Sequence, residues 1–212
     1  MKQVIILVLL FAYATVAFSQ KQETSVKKIY LQLAAGATNN KGVFSEAGVQ
    51  IGLKDNWISS ISYHTIKMNP KNLPSDYEEG YVFLIFPLYD EFPVTKMSLI
   101  SFTGGKLFEV RRNMWFTTEA GLSIVKGETS GFNKQPVVWD GLYKSSNYAV
   151  NKEDKTTIGG MLKVDFNWAF SPWVGLGAGA FANFNSIQSP AGFQLKLILG
   201  WLNRTAMRKG TK

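Results

Sequence analysis

A two-residue alternation of apolar and polar positions runs through most of this chain. Leu162, Val164, Phe166, Trp168 and Phe170 share one parity, and Lys163, Asp165 and Asn167 share the other. Phe193, Leu195, Leu197, Leu199 and Trp201 likewise oppose Gln194 and Lys196. Val43, Ala47, Val49 and Ile51 oppose Glu46 and Gln50, and Phe116, Leu122 and Ile124 oppose Thr117, Glu119 and Ser123. Ile29, Leu31 and Leu33 are set against Gln32. Successive side chains of a strand point to opposite faces, so this period marks strands with one apolar face. It predicts eight of them, over 28–37, 42–53, 57–68, 94–109, 114–127, 156–170, 173–186 and 192–202. Most exceed the ~5–6 residues of an ordinary strand and reach the ~9–11 that cross a bilayer at a tilt. No segment carries a convincing helical period.

The connections sort into two classes. Residues 54–56, 110–113 and 171–172 make tight turns, and these are every second connection. The others are 38–41, 69–93, 128–155 and 187–191, so the long ones fall only in this set. Short turns at one end and longer loops at the other are the pattern of an outer-membrane barrel, in which the turns are periplasmic. The apolar stretch Tyr81-Val82-Phe83-Leu84-Ile85-Phe86-Pro87 falls inside the 69–93 loop. As a strand it would make nine and break the even count of such barrels. It is expected to be an apolar part of an outer loop.

Tryptophan follows the same polarity. Trp57, Trp115 and Trp173 each follow a predicted tight turn, Trp168 precedes one, and Trp201 ends the last strand. Trp favours the membrane–water interface, where the ring is buried and the N–H stays wet. These five predict an interfacial girdle at the turn end. By parity Trp115 and Trp173 point away from lipid, which would let them close the mouth from inside.

A soluble lipocalin-like barrel also alternates, with its apolar face inward. The polar face here is small, glycine-rich and sparsely charged, whereas a water-exposed strand face carries many Lys and Glu. Charged residues are 18% of the chain, aromatics 14%, and the formal charge is +8. The charges gather in turns, loops and the C-terminal tail, so a basic nucleic-acid face is not expected. An eight-stranded barrel has room inside only for side chains. Its inward set is predicted to hold Glu46, Gln50, His64, Glu119, Lys163, Asp165 and Lys196, with Gln32. Buried charges cost several kcal/mol each unless paired, so an internal network of ion pairs and hydrogen bonds follows.

The first segment has a basic residue, Lys2, then the apolar run Val4 to Phe11, then Ala17-Phe18-Ser19. These are the n-region, h-region and small-residue site of a secretory signal. The expected organisation is a signal peptide over 1–19, a short segment over 20–27, a barrel over 28–203 and a basic periplasmic tail over 204–212. There is no cysteine, which excludes disulfides, thiolate chemistry and a lipoprotein anchor.

Taken together these features resemble the small outer-membrane β-barrel family of OmpA-like and OmpX-like domains, over about residues 28–203. The resemblance implies an all-β fold, a transmembrane antiparallel up-and-down barrel of eight strands. It implies location in the Gram-negative outer membrane, contact with its lipid, and insertion by the outer-membrane assembly machinery. That machinery reads a C-terminal strand ending in an aromatic residue. Gln194, Leu199 and Trp201 fit its polar, hydrophobic and aromatic positions, whereas Lys196 stands where glycine is expected and the chain runs on past Trp201.

No nucleotide, zinc or dinucleotide motif is present, and no cofactor or metal is expected. Gly175-Leu176-Gly177-Ala178-Gly179 lacks a following helix and reads as inward glycines that relieve crowding. The single histidine, His64, has Ser62 on the same face. The function expected is that of a non-enzymatic outer-membrane barrel with a plugged polar lumen, structural or binding an extracellular ligand or partner protein through loops 69–93 and 128–155. The alternatives are a lipid-modifying enzyme, an acyl hydrolase or transferase using His64, and a soluble secreted lipocalin-like binder.

Overall fold

The computed structural model describes Val26 and residues 28–83, 87–89, 92–111 and 113–202. The predicted export signal, most of the 20–27 segment and the 204–212 tail lie outside the described residues. The strands are β1 (Lys28–Thr38), β2 (Gly42–Gly52), β3 (Trp57–Met68), β4 (Tyr81–Phe83), β5 (Pro87–Tyr89) and β6 (Thr95–Arg111). They continue with β7 (Met114–Lys134), β8 (Tyr143–Lys144), β9 (Tyr148–Ala169), β10 (Val174–Phe184) and β11 (Ala191–Trp201).

Eight of these close into one antiparallel ring, in the order β1-β11-β10-β9-β7-β6-β3-β2. Closure comes from β1, which pairs from Ile29↔Trp201 to Thr38↔Gly192 with β11 and throughout with β2. A closed ring has no free strand edge, so the backbone groups along its wall pair within the sheet, apart from the register shift between Glu109 and Arg111. Local chemistry sets the tight ends. Asn40 and Lys41 both have positive φ, of 54° and 52°. Two such residues make a type I′ turn, whose twist matches that of the flanking strands. Asp55 and Asn56 do the same between β2 and β3, where Leu53 N donates to Trp57 O at 2.7 Å.

The eight barrel strands follow the sequence period closely, and the two long loops differ from expectation. Most of 128–155 is strand rather than loop. β7 and β9 stay paired out to Lys134↔Tyr148, while β7 leaves β6 after Met97↔Gly127. Seven pairs therefore project beyond the rim, about 23 Å at the rise of a strand. Polar residues face each other there, as in Glu128↔Asp154 and Ser130↔Lys152. Neither side meets lipid there, and the alternation of the wall disappears although the ladder continues. The apolar stretch at 81–87 is also not plain loop. β4 pairs with β5 and with β8, giving a small three-stranded sheet in the order β5-β4-β8. It joins the loop after β3 to the loop between β7 and β9.

Candidate functional site

The inward face is built by parity. On β2, Phe44, Glu46 and Gln50 share it; on β3, Ser60, Ser62, His64, Ile66 and Met68 do. β7 and β9 contribute Glu119, Lys163 and Asp165, and β11 contributes Lys196. All eight polar residues expected in the lumen, Gln32 included, are buried, with His64 fully so.

They form two groups. In the first, Lys163 donates to Glu46, Gln32 Nε2 donates to Glu46 Oε1 at 2.7 Å, and His64 Nδ1 stands 3.8 Å from Glu46 Oε2. Lys196 Nζ pairs with Asp165 Oδ2 at 2.5 Å and reaches Gln32 Oε1 at 3.3 Å, and Gln194 donates to Asp165 Oδ1 at 2.9 Å. In the second, Glu119 has no lysine within ion-pair distance among the described residues. Three neutral donors solvate its carboxylate instead: Gln50 at 2.5 Å, Ser60 at 2.7 Å and Thr103 at 2.5 Å. Tyr30 donates to Gln50 and completes that chain. A charge accepting several hydrogen bonds is held without a counter-ion. Gly179 makes room for the network, since a Cβ there would lie 1.9 Å from Asp165 Oδ1.

The sequence reading missed two apolar layers. Toward the loops, Phe44 stacks on Phe181 with ring centroids 4.1 Å apart, among Ile66, Met97, Leu99 and Met161. Toward the turns, Tyr30, Ile58, Leu107, Trp115, Ile198 and Leu202 pack together. The polar belt lies between them. The same parity that places Glu46 inward also places Phe44 there, but parity alone does not show that Phe44 packs in an apolar layer. Ser60, Thr103 and Tyr30 were missed because hydroxyls fit either face.

Trp115 is fully buried, beneath the Lys28 ammonium 3.9 Å from its ring centroid, so it closes the turn end from inside rather than joining a girdle. Trp173 is not inside: it sits exposed in the turn before β10, where the chain reverses and strand parity no longer applies. Trp57 and Trp168 are exposed on the outer wall and Trp201 is half-buried. Four tryptophans thus ring the turn end.

His64 has the elements of a relay. Its Nε2 lies 3.1 Å from Ser62 Oγ and 2.7 Å from Ser101 Oγ, with Glu46 beyond its other nitrogen. All four residues are buried below the Phe44–Phe181 layer. No group of three acidic, histidine or cysteine side chains able to hold a metal occurs among the described residues.

Outside, the wall is apolar. Leu122, Ile158, Phe193 and Leu195 are 65–77% exposed. In water each such side chain would forfeit about 1.5–3 kcal/mol of burial, whereas in lipid it forfeits nothing. The inner face meanwhile holds the ionised groups, the reverse of a soluble lipocalin-like barrel. The fold is that of the small outer-membrane β-barrels. No protein-family model matches this chain, and no curated protein does. Among solved structures it is similar to the N-terminal β-barrel domain of Pseudomonas aeruginosa OprF, at 7% identity over 84% of this chain and 100% of that one, with a TM-score of 0.49. It is similar to Neisserial surface protein A at 14% identity, over 82% and 96%, TM-score 0.48. For Ail, the attachment invasion locus protein of Yersinia pestis, the values are 9%, 84% and 97%, and 0.42. The membrane assignment rests on the polarity of the wall and not on these likenesses.

Above the rim of this barrel, the 69–80 segment is stitched to the β7–β9 hairpin. Asp76 accepts from Tyr148 Oη at 2.8 Å and from Lys134 Nζ at 3.2 Å. These two bonds, the tyrosine's first, hold its carboxyl below the usual carboxylate range. Lys144 pairs with Glu78 at 2.7 Å, and the Tyr77 ring packs against Phe132 and Tyr148. Beyond this brace the hairpin ends in Val137, Val138, Trp139 and Leu142, all exposed.

Proposed function

We propose that this chain is a non-conducting barrel of the outer membrane, with its turns in the periplasm, that presents the β7–β9 hairpin outside the cell as a binding surface. One observation carries the reading: an exposed apolar tip, Val137, Val138, Trp139 and Leu142, on a braced stalk. Exposed apolar clusters on loops mark interaction sites, and bracing lowers the entropy lost on binding. The apolar layers above and below the charged belt support the absence of conduction. Export and insertion by the outer-membrane machinery belong to the same proposal, with Gln194, Leu199 and Trp201 as its insertion signal. His64 is given a packing role and no part in lipid modification, because an acyl substrate would have to pass the Phe44–Phe181 layer to reach Ser62.

The native chain has no cysteine, so single cysteines report topology cleanly. Gly141→Cys should react with a membrane-impermeant maleimide on intact cells, and Ser171→Cys only after permeabilisation. The opposite pattern refutes the orientation. Planar-bilayer recordings should show no unitary steps. Binding is read on glycan and protein arrays with the detergent-folded protein. Trp139→Ser with Leu142→Ser should abolish the signals that the native tip gives, and unchanged signals remove the hairpin as the binding surface.

A further inference from the structure

Near its loop end the outer wall carries a polar patch that is confined to one side. Near the loop end, β3 and β6 place Lys67 directly opposite Lys96. One row further in, the register runs Ser45, Thr65, Ser98, Lys126, Thr156 across β2, β3, β6, β7 and β9. Lys67, Lys96, Lys126, Ser45, Thr65 and Thr156 are exposed, and Ser98 is half-exposed. The hydroxyls of Ser45 and Thr65 lie 2.6 Å apart, and Tyr63 Oη donates to Ser98 at 3.3 Å from the row below. Followed the other way from Ser45, the same row is Ala35, Leu195, Ala178 and Phe166, all apolar.

A lipid-facing wall gains nothing from such a row. Like charges directly opposite on neighbouring strands, about 5 Å apart at Cβ, destabilise a sheet. Among the described residues no carboxylate lies within ion-pair distance of the three lysines, and the nearby Glu128 faces Lys152 at 4.0 Å. An anion seated between the lysines turns that repulsion into attraction. Lysine serves phosphate as a mobile point charge, and the hydroxyls beneath supply neutral donors. The patch stands at the edge of the apolar wall, the depth of lipid headgroups, which long basic side chains reach by snorkelling.

We propose that Lys67 and Lys96, with Lys126 and the hydroxyls of the row below them, bind the headgroup phosphate of an anionic membrane lipid on the β2–β7 side of the barrel. The assignment rests on the barrel spanning a membrane and is independent of what the hairpin tip binds.

The test is native mass spectrometry of the full chain folded in neutral detergent, titrated with phosphatidylglycerol or phosphatidylcholine. Each lysine near an anionic headgroup contributes about fivefold in affinity, so the three contribute about a hundredfold. The native protein should retain phosphatidylglycerol over phosphatidylcholine, and Lys67→Gln/Lys96→Gln/Lys126→Gln should lose that preference. Lys71→Gln/Lys152→Gln/Lys155→Gln removes equal charge elsewhere at the loop end and should keep it. Equal loss in both triple variants would reduce the effect to net charge and overturn the site. So would displacement of the lipid by inorganic phosphate at matched concentration, which would make the patch a general anion site. Gel mobility before and after heating confirms that each variant is folded.

Discussion

Replacing Lys163 by methionine removes one charge from the middle of the lumen at nearly constant volume. In the native barrel Glu46 and Lys163 are both sealed from solvent and bonded to each other. Without Lys163 the carboxylate keeps one direct donor, Gln32 at 2.7 Å, and His64 Nδ1 at 3.8 Å, too far for a full hydrogen bond. Leaving one member of a buried pair costs about 3–5 kcal/mol. The surviving Gln32 bond sets Lys163→Met at the lower end, about 3 kcal/mol, a factor of roughly 150 in the folded-to-unfolded ratio. Glu46→Gln alone strands the ammonium and costs a similar amount. The double variant removes both charges and should lie within about 1 kcal/mol of the native protein, since replacing a buried pair by neutral groups is close to neutral. Urea titration in neutral detergent, followed by tryptophan fluorescence and by the heat-dependent gel shift, gives the midpoints. Single variants that each lose under 1 kcal/mol would show that water reaches the belt and screens it. A double variant that loses the sum of the singles would show that the two residues do not act as a pair.

The second acid behaves differently. Glu119→Ala strands Gln50, Ser60 and Thr103 and should cost about 3 kcal/mol, whereas Glu119→Gln keeps an acceptor and should cost about 1 kcal/mol in the same titration. Gly179→Ala drives a methyl into Asp165 and the Val164 carbonyl and should lose about 1–3 kcal/mol; Gly160→Ala, with open space around its Cβ, should be far milder. His64→Ala should leave the cell's lipid A profile unchanged while lowering the urea midpoint, because the ring packs 5.5 Å from Phe44; an altered profile would restore the enzymatic reading. The brace at Asp76 has a definite pH sign. Its folded carboxyl titrates below the ordinary value, so the stabilisation is complete above the unfolded pKa of about 3.9 and is lost as pH falls through the lower folded value. Hydrogen exchange in residues 135–147 should therefore stay slow from neutral pH down to about 4, after correction for the intrinsic rate, and quicken only in stronger acid; protection that disappears near pH 6 would point to another group.

Much of this protein was written in its two-residue period. Where one face of a strand meets lipid and the other meets a packed lumen, every residue must declare its side, so the limits of β2, β3 and β6 and the inward placement of Glu46, His64, Glu119 and Lys163 were legible from parity alone. The lengths of the connections gave the polarity of the barrel for the same reason, since turn chemistry is local. Parity does not say which inward residues meet. Lys163 reaches Glu46 across 117 positions of chain, and Glu119 is solvated by three hydrogen-bond donors rather than a lysine, because ring closure and strand stagger decide which side chains share a level. Parity also fails where the environment stops being two-sided. Above the rim neither face of β7 and β9 meets lipid, so a strand there looks like a loop, and the pairing of β4 with β8 depends on backbone bonds between distant segments that no local pattern records. The outward lysines could each be read from the sequence. Their assembly with a row of hydroxyls on one side of the barrel needed the register of five strands, which is a property of the closed sheet and not of any single segment.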